Sequence, residues 1–192
     1  MSRSVSRSLG VVTTLVVAAV AIVAVSRVST QSPGSFVYST AKGDWPSYAG
    51  DVRGSRYSPL DQIDATNFSK LEVAWRIKTD MFGNRPEFKL EGTPIEVHGV
   101  LYATAGSRRA AIAVDAETGE LLWVHGEKEG PRGAAAPRQL SGRGLAYWTD
   151  GTEERILYYT PGYTVVALNA KTGQRIPTFG KGGIVDLKLE DD

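Results

Sequence analysis

Beyond residue 43 the apolar positions come in short runs that alternate with polar ones and stop at glycines. Such runs occupy residues 73–77, 100–104, 110–114, 156–160 and 163–168. A period of two over that length predicts half-buried strands. No amphipathic stretch of ten residues or more occurs after residue 31, so no long helix is predicted there. Residues 97–100 read Val-His-Gly-Val. That places His-Gly between two apolar runs and predicts a tight hairpin with His98 in its turn. The single long apolar run, residues 9–25, sits apart from the rest and predicts a hydrophobic helix.

Two of the alternating segments are copies of one another. Residues 112–123 read IAVDAETGELLW and residues 166–177 read VALNAKTGQRIP, an offset of 54 residues. Ala113, Ala116, Thr118 and Gly119 recur as Ala167, Ala170, Thr172 and Gly173, and Asp115 is answered by Asn169. Asp or Asn with a nearby Thr can bond local backbone amides, and Gly accepts positive φ, so each copy predicts a turn between antiparallel strands. Trp123 comes after that turn with a large flat side chain able to fill the wedge between neighbouring sheets. Pro177 stands at the matching place in the second copy. Proline cannot donate to a strand ladder, so the second unit is expected to end differently. Repeats of roughly 40–50 residues built from several short strands are the signature of propeller blades.

Composition narrows the chemistry. The 192 residues include no Cys and only two His, His98 and His125. A thiol nucleophile, a disulfide framework and a Cys-ligated zinc are therefore excluded, and the two His lack metalloprotease spacing. His98 and His125 are read as structural. The balance of 22 basic and 21 acidic residues leaves +1, so no nucleic-acid partner is expected. The charged groups 127–129, 153–155 and Arg108-Arg109 are read as solvated turns. Residues 180–183, Gly-Lys-Gly-Gly, lack the frame of a phosphate loop.

The N-terminus reads as an address. Arg3 and Arg7 precede an uncharged stretch with small polar residues after it, the layout of a secretory signal. The 17 residues of the apolar run lie near the lower limit for crossing a bilayer, so a retained anchor is a rival reading. Either one exports the remainder of the chain to the periplasm, with residues 9–25 in the inner membrane if uncleaved. Three segments result: 1–30, signal or anchor; 31–43, a Ser/Gly/Thr-rich linker; 44–192, the repeat-bearing part.

Ala113-x-Asp115-x-x-Thr118-Gly119-x-x-x-Trp123 resembles the tryptophan-docking motif of the quinoprotein dehydrogenases, the pyrroloquinoline quinone (PQQ) dependent glucose and alcohol dehydrogenases. The opening from Asp44-Trp45-Pro46 to Asp61-Gln62-Ile63 is similar to that family's N-terminal segment. So are Leu71-Glu-Val-Ala-Trp75, Glu91-Gly92-Thr93-Pro94, Gly142-Arg143-Gly144-Leu-Ala-Tyr-Trp148 and the run from Pro177 to Val185-Asp186-Leu187. These matches cover residues 43–188 in one order, which is far more specific than the docking motif alone.

The resemblance implies an all-β fold, the first two to three blades of an eight-bladed propeller. It implies PQQ and a divalent cation, usually calcium, over the central channel. It places Glu91 against the cofactor and Arg143 beside it. A planar guanidinium suits a tricarboxylate with an ortho-quinone. The metal ligands and the catalytic Asp are expected further along than the Val185-Asp186-Leu187 run and outside this chain, so that 1–192 reads as an N-terminal part, inactive alone. The implied reaction is hydride transfer from a sugar, polyol or alcohol to the quinone, with electrons leaving to a quinone or cytochrome. Many alcohol-oxidising members carry a Cys pair before the Arg-Gly motif, and residues 132–142 carry none, which leans toward the glucose (sugar or polyol) branch or an uncharacterised one. The rival reading is a non-catalytic envelope scaffold with similar repeats. An acid and an arginine at the channel favour the dehydrogenase.

Overall fold

The computed structural model describes residues 36–83, 85–140 and 144–188. The predicted N-terminal helix over 9–25 lies outside the described residues. Two antiparallel four-stranded sheets form the described part, each with its strands in sequence order. The first contains β1 (Ile95–Val97), β2 (Val100–Ala105), β3 (Ala110–Asp115) and β4 (Leu121–His125). The second contains β5 (Ala146–Thr149), β6 (Glu154–Tyr159), β7 (Thr164–Asn169) and β8 (Ile184–Asp186). A short helix, α1 (Gly130–Ala134), lies between them in sequence. Two consecutive four-stranded meanders are the blade architecture that the 54-residue repeat predicts.

The turns form as their residues require. His98 and Gly99 both take positive φ, 54° and 78°, closing the β1–β2 hairpin. Asp115 Oδ1 accepts from the amides of Glu117 (3.1 Å) and Thr118 (2.7 Å) and from the Thr118 hydroxyl (2.8 Å). Asn169 Oδ1 accepts from the same three places in the second copy. Those bonds, led by the Thr118 amide, hold the Asp115 carboxyl below the usual carboxylate range.

Docking of the indoles joins the units. Trp123 Nε1 donates to the Ala170 carbonyl at 2.9 Å, and its ring covers Gly173. Trp75 Nε1 donates to the Ala116 carbonyl at 3.0 Å, and its ring covers Gly119. The same bond is thus made twice, one repeat apart. The strand expected at 73–77 is absent. That backbone has no ladder partner, and Trp75 anchors the segment by its side chain instead. Both indoles are half-buried, whereas a free blade face would leave them exposed.

Between the sheets lies the main core, where Ile95, Val97, Ala111, Ala113, Ile156, Tyr158, Val166 and Leu168 meet. Ile112 and Val114 project to the other face of β3 and are covered by Trp75, Ile77 and Phe82. Burial on both faces is why the run at 110–114 alternates little. Phe36 and Tyr38 also pack on the core, their ring centroids 5.0 and 6.3 Å from that of Tyr147. Pro177 has the effect expected of it. After a lone bridge between Leu168 and Arg175 the chain leaves the ladder, and β8 returns seven residues beyond the proline to pair with β7.

Arg132 on α1 clamps β8 through a two-pronged ion pair with Asp186, both contacts 2.6 Å. The guanidinium, with help from the Lys188 amide, pulls the Asp186 carboxyl down to about 2. The folded chain therefore holds that proton less readily than the unfolded chain. The clamp contributes in full above the ordinary Asp range and is lost as pH falls from about 4 through about 2. Melting temperature between pH 4 and pH 2 should fall more steeply in the wild type than in Asp186→Asn. Parallel curves would contradict this.

Candidate functional site

The register of the sheets gives them two ends. Val100 pairs with Asp115, so the His98-Gly99 hairpin and the Asp115–Gly119 turn share one end. Ala105 pairs with Ala110 and Ala111 with His125, so the β2–β3 turn and the long β4–β5 connection share the other. Glu91 precedes β1 at this second end. Here a cleft of about 550 Å³ opens between residues 85–91 and 136–140.

The cleft is basic. Arg85, Lys89, Arg109 and Arg138 line it, and Glu91 is its sole acid among the described lining residues. Lys89 Nζ lies 3.1 Å from Glu91 Oε1, both side chains more than half exposed. Arg85 stacks on Phe88 at 5.5 Å, giving this wall an aromatic face. The wall is fixed from behind by Glu87. Its Oε2 accepts from the Thr79 hydroxyl (3.0 Å) and the Gly106 amide (2.9 Å), tying the segment to the β2–β3 turn.

Three ties hold the β4–β5 connection. Arg109 bonds the carbonyls of Arg138 and Leu140. The Glu129 carboxylate accepts from the Thr160 hydroxyl and from the Gly162 amide at 3.0 Å. Glu127 accepts from Arg175 and lies 2.7 Å from His125 Nε2. Burial works to raise the Glu127 carboxyl, but the bonds from His125 and Arg175 outweigh it and hold it below its ordinary value. The solvated-turn reading fails for these residues. Arg109 is 3% exposed and the Glu127 side chain 8% exposed. Each finds partners on a segment distant in sequence, which local charge patterning does not show.

The structure places Glu91 on the wall of this basic cleft. Arg143, the other predicted contact, lies outside the described residues, three positions after Leu140 in the chain. Sequence reasoning missed Arg85, Lys89, Arg109 and Arg138. Their types are visible in the chain, but the two walls are some fifty residues apart. Among the described residues, no group of three or more His, Cys, Asp or Glu is placed to hold a metal ion. No helix among them is long and apolar enough to cross a membrane.

Residues 45–191 match the PQQ family described as the glucose/ethanol/alcohol dehydrogenase beta-propeller domain. The chain belongs to this family. It is 40% identical over 137 residues to the alcohol dehydrogenase (quinone) dehydrogenase subunit of Gluconobacter oxydans, covering 70% of this chain and 16% of that protein. It is 30% identical over 171 residues to the quinoprotein glucose dehydrogenase of Escherichia coli, covering 82% and 21%. The crystal structure of the quinohemoprotein alcohol dehydrogenase from Comamonas testosteroni superposes with a TM-score of 0.59 at 27% identity, covering 82% of this chain and 23% of that one. The chain thus spans about a sixth to a fifth of the length of these curated relatives. Members named for alcohol and for glucose both match.

Proposed function

We propose that residues 44–192 are the opening blades of a PQQ-dependent dehydrogenase that oxidises a sugar, polyol or alcohol. The observation that carries this is the basic cleft with Glu91 on its wall, at the sheet end where the β2–β3 turn and the β4–β5 connection meet. Four cationic side chains against one acid suit a flat polyanion. Arg85, Lys89 and Arg138 would face the carboxylates of PQQ, with Arg143 beside its ring system. Glu91, relieved of Lys89, would accept from the pyrrole N–H. When bound, PQQ supplies a two-electron acceptor for the substrate's hydride. The residues of this chain bind and orient it, while calcium and the catalytic acid are held by later blades. Electrons would then pass to a quinone, as the name of the Gluconobacter oxydans alcohol dehydrogenase suggests, or to a cytochrome. The first 30 residues export the chain to the periplasm, cleaved as a signal or retained as an anchor, and residues 31–43 link them to the blades.

Titration of the chain with PQQ, read by quenching of its tryptophan fluorescence, tests this reading. Saturable binding is expected, weakened about tenfold or more in Arg143→Lys, where the planar fork is lost. Glu91→Gln should bind with altered quinone absorbance. Substrate turnover is not expected from these blades alone. Binding indifferent to both substitutions, or none at all, would refute the assignment.

A further inference from the structure

We propose that Arg109 is a positioning residue whose buried guanidinium sets the 138–140 wall of the cleft. Residues 138–140 belong to no strand or helix, so their carbonyls have no ladder partner. Arg109 satisfies two of them. Its Nε donates to the Leu140 carbonyl at 3.2 Å and one terminal nitrogen donates to the Arg138 carbonyl at 2.9 Å. The other terminal nitrogen lies 3.4 Å from the Tyr159 carbonyl, and the guanidinium carbon is 5.1 Å from the Tyr159 ring centroid. One planar group thus joins the β2–β3 turn of the first sheet, the cleft wall and the end of β6.

The backbone at Arg109 is itself shaped for this. Its φ is +54°, a left-handed conformation that is strained for a residue with a Cβ. The turn bond from the Arg109 amide to the Gly106 carbonyl, 3.2 Å, closes that conformation. A lysine would keep the charge but offer one nitrogen, which cannot span carbonyls on two sides. The role of Arg109 rests on this geometry alone. Its consequence for a ligand rests on the reading of the cleft as a PQQ site.

The full chain and its Arg109→Lys and Arg109→Ala variants provide the test. Tryptic cleavage after Arg138 and amide hydrogen exchange over 136–140 read the wall directly. Cleavage should be about tenfold faster in both variants, as expected for losing one or more charge-assisted bonds. Exchange in β2, β3, β6 and β7 should stay at the wild-type level. Millimolar guanidinium should restore protection of the wall in Arg109→Ala, and the same concentration of sodium chloride should not, a rescue that general instability would not show. PQQ affinity should fall about tenfold in Arg109→Lys. Wild-type protection of 136–140 in Arg109→Lys, or a loss spread evenly over both sheets, would overturn the proposal. Absence of PQQ binding by the wild type would refute the cofactor reading, and cleavage and exchange would still decide the role of Arg109.

Discussion

Replacing Gly173 by alanine should lower the melting temperature by roughly 10 °C, whereas the same change at Gly99 should cost less than half as much. The two glycines share a left-handed backbone, with φ of +66° and +78°. At Gly99 an added Cβ meets nothing within 4 Å, so only the backbone penalty of about 1–2 kcal/mol applies. At Gly173 the added Cβ would lie 2.7 Å from the Trp123 ring. Overpacking then adds about 1–3 kcal/mol, because the indole cannot retreat without giving up its bond to the Ala170 carbonyl. Gly119→Ala should behave like Gly173→Ala, since its Cβ would meet Trp75 at 2.7 Å. Thermal melts of the three variants separate the two contributions. Equal losses at Gly99 and Gly173 would mean that indole docking does not hold the sheets together.

Reversing charge in the cleft should be the most damaging change for ligand binding. A Lys89→Glu, Arg138→Glu double variant should bind PQQ about 100-fold more weakly at low salt, as like charges replace two attractive ones. The gap should narrow at high ionic strength, where the screening length falls to about 3 Å at 1 M. Neither side chain is part of the core, so the melting temperature should hold near the wild-type value. Titrations at two salt concentrations check this, and an unchanged affinity would show that the cleft does not receive the cofactor.

The blade pattern is legible without coordinates. Strand period, the Asp/Asn-x-x-Thr-Gly turns and the 54-residue offset are local signals, and each turn forms as its residues demand. Pro177 is legible for the same reason, since its missing N–H is a property of the residue and not of its surroundings. Residues 73–77 mislead because a period of two records which side chains are buried, not whether a neighbouring strand exists to pair with. β5 and β8 escape sequence reasoning because strands of three or four residues carry too little periodicity to stand out.

The site is less legible than the fold. Family likeness singles out Glu91, but its place on a basic wall emerges only when residues 85–91 and 136–140 are brought face to face. Arg109 shows the limit most clearly. In the chain it is one of two adjacent arginines in a polar turn, which usually means solvent. In the fold its three guanidinium nitrogens find carbonyls of Arg138, Leu140 and Tyr159, between 29 and 50 residues away. Turn chemistry and strand period act within a dozen residues, so the order of amino acids settles them. The walls of the cleft, the partners of buried charges and the pairing of each indole with its glycine depend on long-range closure of two sheets, which the linear order does not display.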